Sequence, residues 1–277
     1  MKTILSIQSQ VIGARVGNSV AGFAIERLGV RALAWPTTLL GRRPDHGAPG
    51  GGPMPPATMA SLLEGLAADE RLGEIDALLV GYLGDPDQVA IILDAAERIK
   101  AANPRAVLAV DPVIGDDGKL FVSDDIADAV INGLVPHADW LMPNVFELGV
   151  ITGRTIDGLE QARDASRRFG KPLLITSIRT ALGMGNLHAA PAGDWFCETA
   201  RLPRAPKGAG DLLKACFMAR RVRGEAPAVA LEGATGAVYD VIVRSLAAES
   251  EDLLLPAAQD VLEEPVTWPR ARRLELA

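Results

Sequence analysis

The feature that most constrains the fold is an alternation of short apolar runs with longer amphipathic stretches. The apolar runs predict strands, and small or polar residues follow each of them, at residues 3–8, 31–35, 77–81, 106–111, 140–142 and 172–176. Apolar positions that recur every three or four residues predict helices at residues 20–28, 86–101, 126–135, 159–169, 212–223 and 226–247. This succession is typical of βαβ units. It predicts one α/β domain over residues 1–277, with a mainly parallel central sheet and helices on both faces.

Two segments depart from this rhythm. Residues 181–202 are punctuated by glycine and have alternating apolar positions, which predicts an antiparallel hairpin late in the sheet. In residues 41–56, ten of sixteen residues are Gly or Pro, so we expect no regular element there. The segment is too long for a plain connector, and it is either a lid over a site or a disordered insertion.

Charge and hydropathy exclude several classes of partner. The chain has 28 Lys and Arg against 35 Asp and Glu, a net charge of −7 that is unsuited to a nucleic acid backbone. No run approaches the roughly 18 apolar residues that cross a bilayer, so we expect no membrane partner. The apolar N-terminal run is too short for a secretory signal, which predicts a cytoplasmic protein with Cys197 and Cys216 as reduced thiols. The histidines lack the spacing of zinc ligands.

The most informative motif is Gly208-Ala209-Gly210-Asp211, which directly precedes an amphipathic helix. Such a loop turns backbone amides inward, and the helix N-terminus adds partial positive charge, so an anion can be held without side chains. An acid beside that loop suits a base that takes a proton from a hydroxyl while the amides stabilise a phosphoryl group. On spacing alone, a glycine-rich turn with Asp211 as helix cap is the alternative.

Polar residues also follow two of the predicted central strands. Asp111 begins Asp-Pro-Val-Ile-Gly, and Asn144 and Glu147 belong to Pro-Asn-Val-Phe-Glu. Open α/β sheets bind ligands at the carboxyl ends of their strands, where these oxygens could serve Mg²⁺ and nucleotide phosphates. Taken singly, Asp111 also fits a turn and Glu147 a first-turn helix acid.

The first strand ends in Ser9 and Gln10, which could hydrogen-bond a small heteroaromatic substrate. Asn18 and Ser19 open the next helix, where either also fits an N-cap. The chain has no phosphate loop of the G-x-x-x-x-G-K-[ST] type, no strand-linked G-x-G-x-x-G and no G-x-S-x-G elbow. The usual warrants for a P-loop NTPase, a Rossmann dehydrogenase and an α/β-hydrolase are therefore missing.

Together the motifs resemble the pyridoxal kinases of the ribokinase-like superfamily, in the right order over nearly the whole chain. The resemblance rests on Ile7-Gln8-Ser9, Gly17-Asn18-Ser19, Gly81-Tyr82-Leu83-Gly84, Asp111-Pro112-Val113-Ile114-Gly115, Pro143-Asn144-Val145-Phe146-Glu147, Ile175-Thr176-Ser177 and Gly208-Ala209-Gly210-Asp211. Gly-x-Gly-Asp alone marks the superfamily, whereas the Gly-Tyr-Leu-Gly, Asp-Pro-Val-x-Gly and Pro-Asn-x-x-Glu motifs point to the pyridoxal kinase branch.

The resemblance implies a homodimer that phosphorylates the 5′-hydroxymethyl group of pyridoxal or a related B6 vitamer with ATP and Mg²⁺. It leaves open whether a monovalent cation assists. By motif, Asp211 would be the base beside the substrate hydroxyl, and the amides of Gly208, Ala209 and Gly210 would form the anion hole. The remaining roles would be shared as follows: Asp111, Asn144 and Glu147 toward Mg²⁺ and the phosphates, with Asp111 and Glu147 as metal ligands; Thr176, Ser177, Arg204 and Lys207 along the nucleotide; Ser9, Gln10 and Tyr82 in the substrate pocket.

The departures from the family pattern lie on the substrate side. Gln10 stands where the family has His, and residues 41–46 replace a stretch similar to Ser-Asn-His-Thr. A kinase for another hydroxymethyl heterocycle, such as hydroxymethylpyrimidine, and a non-catalytic sensor of B6 vitamers or nucleotides are therefore alternatives. The hydroxymethylpyrimidine branch usually has a cysteine in the anion-hole loop, and a pure binder has no need of a base at Asp211.

Basic residues near these motifs raise two more hypotheses. Lys207 and Lys214 flank the anion-hole motif and could add positive charge, with Lys207 on the β- or γ-phosphate or simply solvated. Arg42 and Arg43 suit an anionic ligand at the mouth of the site, or are ordinary exposed arginines.

Overall fold

The computed structural model describes residues 1–275, and its centre is a ten-stranded mixed sheet. The strands of that sheet are β1 (Thr3–Val11), β2 (Arg31–Leu40), β3 (Gly51–Pro53), β4 (Ala77–Val80), β5 (Val107–Val110), β8 (Trp140–Leu141), β9 (Leu173–Arg179), β10 (Gly183–Ala189), β11 (Asp194–Ala200) and β12 (Arg272–Leu274). A separate small hairpin consists of β6 (Gly115–Asp116) and β7 (Lys119–Leu120). Across the sheet the order is β12-β11-β10-β9-β8-β5-β4-β1-β2-β3. The six central strands β9, β8, β5, β4, β1 and β2 pair in parallel.

Helices cover both faces of this sheet. They are α1 (Asn18–Arg27), α2 (Pro56–Ala68), α3 (Gln88–Ala102), α4 (Asp124–Asp128), α5 (Val145–Thr152), α6 (Leu159–Ser166), α7 (Ala209–Val222), α8 (Pro227–Ala247) and α9 (Asp260–Glu263). Successive strand side chains point to opposite faces, so Leu5 and Leu78 pack in one core cluster while Ile4 and Leu79 pack in the other. The first cluster lies under α2 to α6, and the second under α1 and α7 to α9.

The predicted fold class is confirmed. Each predicted strand is present, and β10 and β11 pair antiparallel within residues 181–202, as expected for the late hairpin. Helices α2 and α5 and the edge strand β12 were not predicted. Helix α2 begins at Pro56, directly after its N-cap residue Pro55. Proline is tolerated at the first position of a helix, so the prolines that suggested an irregular segment are compatible with a helix start.

The expectation that residues 41–56 carry no regular element was wrong. Gly51–Pro53 forms β3, which pairs antiparallel with the end of β2, and Pro44–His46 forms a 3₁₀ turn. Gly51 has a φ of 79°, and a Cβ there would lie 2.1 Å from the carbonyl oxygen of Leu39. Only glycine allows this strand to approach β2 so closely. The glycines that suggested an irregular segment are therefore required for the pairing of β3 with β2.

No helix within residues 1–275 is long and apolar enough to cross a membrane. Cys197 and Cys216 are buried free thiols, and burial raises the pKa of each to about 12, so both are protonated near neutral pH.

Candidate active site

The predicted base lies at the first turn of α7, beside the ends of two other segments. Gly208 precedes the helix with a φ of 89°, and a Cβ there would lie 2.2 Å from the carbonyl oxygen of Arg15. The loop before α7 therefore packs directly on the segment that connects β1 to α1. From that segment, the backbone N–H of Gly17 donates a hydrogen bond to Oδ2 of Asp211 at 2.8 Å.

The contact with Gly17 shows which local role the Asp211 side chain has. Helix α7 has no side-chain cap, so the helix-cap alternative for Asp211 is not what the structure has. Burial raises the pKa of the Asp211 carboxyl, whereas the Gly17 N–H and the charge of Lys214 oppose that rise. A carboxylate with a raised pKa is a stronger base than an exposed one, and it lies beside backbone amides that can hold an anion.

Asp111, at the end of β5, forms an ion pair with Lys214 of α7. Nζ of Lys214 lies 2.6 Å from Oδ1 of Asp111, and the two side chains are 7% and 4% exposed. Burial raises the pKa of Asp111 and the Lys214 ammonium opposes it. Burial by itself lowers the pKa of Lys214, but Asp111 and Glu147 reverse this and the net direction is upward, so the amine stays protonated.

Asn144 and Glu147 form a capping box at the start of α5. The Asn144 side chain accepts from the N–H of Glu147 at 2.8 Å, and Oε2 of Glu147 accepts from the N–H of Asn144 at 2.9 Å. Oε1 of Glu147 accepts from the N–H of Ile114 at 3.0 Å, and Nδ2 of Asn144 donates to the carbonyl of Gly115 at 2.9 Å. The box therefore fixes the loop that follows β5 against α5.

Thr176 and Ser177 lie next to this box. The N–H of buried Thr176 donates to the carbonyl of Pro143 at 3.0 Å, and Thr176 forms an isolated bridge with Asn144. Ser177 has a φ of 64°, at a point where β9 and β10 shift register. A left-handed non-glycine residue is uncommon, and such residues are concentrated at functional loops.

Two of the predicted substrate residues, Ser9 and Gln10, lie at the end of β1, and the third, Tyr82, follows β4. Gln10 lines an open cleft of about 400 Å³, and its Nε2 donates to Oγ of Ser19 at 2.9 Å. The lining of that cleft is completed by Ile12, Gly13, Ala14, Arg15, Ser19 and Asp252. Ser9 is buried beside Gly17, whereas Tyr82 is half-buried beyond β4 and its carbonyl accepts from Oγ1 of Thr37 at 2.6 Å.

Neither Asn18 nor Ser19 caps α1, because its N-cap is Gly17 and has no side-chain cap bond. Nδ2 of Asn18 donates to the carbonyl of Gln8 at 3.0 Å, and the Ser19 hydroxyl donates to the carbonyl of Val11 at 3.1 Å. Both side chains therefore tie α1 to β1 and hold the Gly17 amide in place.

The basic residues of the 204–207 strip lie outside this cluster. Arg204 is exposed and its Nη2 donates to the carbonyl of Ser250 at 3.2 Å, and Lys207 is exposed as well. The ammonium group that reaches the carboxylates belongs to Lys214. The sequence placed Lys214 beside the anion-hole motif but did not identify Asp111 as its partner, and it gave no indication of the Gly17 amide.

The carboxylates predicted to bind Mg²⁺ do not fit direct coordination in this arrangement. Both oxygens of Glu147 accept backbone hydrogen bonds, and Asp111 is paired with Lys214. Within residues 1–275, no three His, Cys, Asp or Glu side chains are grouped closely enough to hold a metal ion. Asp111 and Glu147 are therefore not expected to ligate a metal ion directly in this arrangement.

Comparison with known proteins places this site in a family. Residues 24–254 match the phosphomethylpyrimidine kinase family. The chain is 36% identical over 271 residues to pyridoxal kinase PdxY of Leifsonia xyli subsp. xyli, which covers 95% of this chain and 96% of the relative. It is 34% identical over 273 residues to pyridoxal kinase PdxY of Pseudomonas fluorescens, with 95% and 94% covered.

The fold is shared with a solved relative as well. The structure of pyridoxal kinase from Leishmania donovani in complex with ADP and pyridoxamine has a TM-score of 0.93 at 24% identity, with 99% of this chain and 100% of that chain covered. The full-length match to PdxY relatives, the shared fold and the Gly-x-Gly-Asp loop on α7 agree. This chain belongs to the pyridoxal kinases of the ribokinase-like superfamily.

Proposed function

We propose that the protein transfers the γ-phosphoryl group of ATP to the 5′-hydroxymethyl group of pyridoxal or a related B6 vitamer. The observation that carries this proposal is the position of Asp211. Its carboxylate is held by the Gly17 amide at 2.8 Å and lies on the first turn of a helix that follows an amide-rich loop. A base and an anion hole on the same turn are the two groups that phosphoryl transfer to an alcohol requires.

In this proposal each half of the site has its own task. Asp211 removes the proton of the substrate hydroxyl as the phosphoryl group arrives, and the amides of Gly208, Ala209 and Gly210 stabilise the charge on that group. The transition state of phosphoryl transfer is loose, so positioning and charge neutralisation supply most of the rate. Asn144 and Thr176, with Ser177, Arg204 and Lys207 beyond them, border the nucleotide, which enters as its magnesium complex.

The substrate end consists of Ser9, Gln10 and Tyr82, and residues 41–56 serve as its lid. This role is supported by an ion pair from Arg43 to Asp252, at 3.8 Å, because Asp252 lines the cleft.

From the resemblance to the pyridoxal kinases we also propose that the protein is a homodimer and works in the cytoplasm. Size-exclusion chromatography with light scattering tests the mass of the dimer.

A second candidate keeps the reaction and changes the acceptor. The family that matches residues 24–254 is described as phosphomethylpyrimidine kinase, so a pyrimidine is the competing class of acceptor, and we propose hydroxymethylpyrimidine as its member to test. Asp211 serves the same role in either case, so the acceptor has to be decided by measurement.

The test is a phosphorylation assay of the full chain with Mg·ATP and pyridoxal, pyridoxine, pyridoxamine or hydroxymethylpyrimidine side by side. Formation of the 5′-phosphate is followed by chromatography and ADP release by a coupled assay. We expect the highest kcat/KM with a B6 vitamer. A preference for hydroxymethylpyrimidine would replace the proposed acceptor, and nucleotide binding without any turnover would overturn the kinase assignment.

A further inference from the structure

Lys214 is a buried ammonium group to which the family assignment gives no task. Its side chain is 7% exposed, and its partner Asp111, at 2.6 Å, is 4% exposed. A lysine is almost never buried to this extent unless it is paired, because the charge loses its hydration. The contact to Asp111 is therefore what keeps the ammonium group in the protein interior.

The ammonium group of Lys214 lies at the end of α7 where the helix dipole disfavours a positive charge. Long side chains on a helix point back toward its N-terminus, and a Cβ built on Gly210 would lie 3.9 Å from Nζ of Lys214. The ammonium group thus lies close to the first turn of α7. A cation at a helix N-terminus is disfavoured by the helix dipole, so its stabilisation has to come from the surrounding carboxylates.

Those carboxylates come from three separate segments. Asp111 follows β5, Glu147 lies in α5 and Asp211 lies in the first turn of α7. The charge of Lys214 acts on all three. Glu147 is already satisfied by backbone amides, which leaves Asp111 as the group that Lys214 contacts directly. Lys214 therefore contacts Asp111, and its charge acts on Glu147 and Asp211 from a greater distance.

We propose that Lys214 is a resident cation of the active site and occupies the place on Asp111 that a divalent ion would need. The free protein then has no divalent site at Asp111, and the divalent ion arrives with the phosphates of the nucleotide. Lys214 acts as a positioning residue, because it holds Asp111 on the β5 end and places a fixed positive charge behind Gly210.

Removing the charge tests this directly. The full chain is titrated with Mn²⁺ in the absence of nucleotide and vitamer, and free Mn²⁺ is measured by electron paramagnetic resonance. We expect no saturable site in the wild type. Lys214→Met exposes Asp111 to the ion and is expected to gain one saturable site that the wild type lacks, because a like charge in contact with Asp111 has been removed. The Asp111→Asn/Lys214→Met double variant is expected to lose that site again.

A matched control separates this effect from a change in net charge. Lys207→Met removes one positive charge from the exposed loop just before α7 and leaves Asp111 paired, so its Mn²⁺ titration is expected to match the wild type. A merely structural role for Lys214 would lower the melting temperature without creating an ion site. In Lys214→Met, by contrast, Mn²⁺ is expected to raise the melting temperature by mass action.

Three results would overturn the proposal: a saturable Mn²⁺ site of equal affinity in the wild type, no gain in Lys214→Met, or a site that persists in the double variant. If Lys214→Met does not accumulate as folded protein, Lys214→Gln is titrated in its place, because its amide can still donate to Asp111 without the charge. The titration contains neither nucleotide nor vitamer, so its outcome does not depend on the proposed function.

Discussion

Two ion pairs, one on each side of the site, differ in almost every physical respect. Lys214 and Asp111 are 2.6 Å apart, and both side chains are less than a tenth exposed. Arg43 and Asp252 are 3.8 Å apart at the edge of the cleft, and the Asp252 side chain is 43% exposed. The first pair is enclosed by β5 and α7, whereas the second connects the 41–56 segment to the cleft wall.

The phosphoryl side of the site is held in place by buried contacts, whereas the substrate side is exposed and can adjust. On the phosphoryl side, Asp111, Glu147 and Asp211 all have partners within the protein. Moving Asp111 leaves a buried ammonium unpaired, and moving Glu147 or Asp211 leaves a backbone amide without its acceptor. On the substrate side, the cleft is open and the Asp252 side chain in its wall is 43% exposed. We infer that the buried Lys214–Asp111 pair fixes the groups that act on the phosphoryl group. The exposed residues at the edge of the cleft determine which acceptor binds.

Asp211→Asn is expected to have the largest effect, because it removes the proposed base from the fixed side. We expect kcat to fall by about 10²- to 10⁴-fold, the usual range for general acid–base catalysis. Nucleotide affinity changes little, since the amides of the loop and not the carboxylate hold the phosphates. Steady-state kinetics and calorimetric titration with ADP measure the two quantities, and near-wild-type turnover would exclude Asp211 as the base.

Asp111→Asn is expected to destabilise the protein by about 3–5 kcal/mol, because a buried ammonium loses its charged partner. Urea unfolding followed by circular dichroism measures the change. The matched control is Asp164→Asn, which breaks an ion pair of the same 2.6 Å length with Arg154, where the side chains are 45% and 60% exposed. That exposed pair contributes no more than about 1 kcal/mol. Equal losses of unfolding free energy in Asp111→Asn and Asp164→Asn would show that the buried pair contributes no more to stability than an exposed one.

These variants rest on contacts that sequence reasoning could reach only in part. The carboxyl-end position of Asp111, Asn144 and Glu147 followed from strand order, because parallel strands bring their ends to one edge of a sheet. The loop before Asp211 was predictable from its glycines, and so was the antiparallel hairpin that contains β10 and β11. These features depend on local composition and on the period of the apolar pattern.

What could not be predicted depends on contacts between distant segments. The Gly17 amide and Asp211 are 194 residues apart, and Lys214 and Asp111 are 103 residues apart. A lysine one turn into a helix is ordinarily solvated, and only the packing of α7 on the end of β5 buries this one. Likewise, β3 was missed because its glycines are required by the close approach to β2 and not by chain flexibility.

The pH dependence of turnover tests the electrostatics of the fixed side. Burial raises the pKa of Asp211 above the ordinary value of 3.8, and the base has to be ionised to accept a proton. The value of kcat/KM is therefore expected to fall as pH is lowered through this pKa, by about tenfold for each further unit. A pH series on the wild type, with recovery of activity at neutral pH as the control for folding, locates the midpoint. A midpoint at or below 3.8 would contradict the raised pKa.

Asp252→Asn is expected to have the smallest effect and probes the adjustable side. Arg43 retains Asp45, to which it donates two hydrogen bonds of 3.0 Å, so the free energy of unfolding changes by less than about 1 kcal/mol. If residues 41–56 cover the cleft through the Arg43–Asp252 contact, the KM for the vitamer rises, by no more than about fivefold, while the KM for ATP is unchanged.

Asp45→Asn is the matched control for this last variant, because it also removes a partner of Arg43 but leaves the cleft wall intact. Its KM for the vitamer is expected to stay at the wild-type value. A larger effect of Asp45→Asn than of Asp252→Asn would mean that the internal shape of the 41–56 segment, and not its attachment to the cleft, controls access. The two aspartate variants thus distinguish a 41–56 segment that covers the cleft through the Arg43–Asp252 ion pair from one whose position does not depend on that pair.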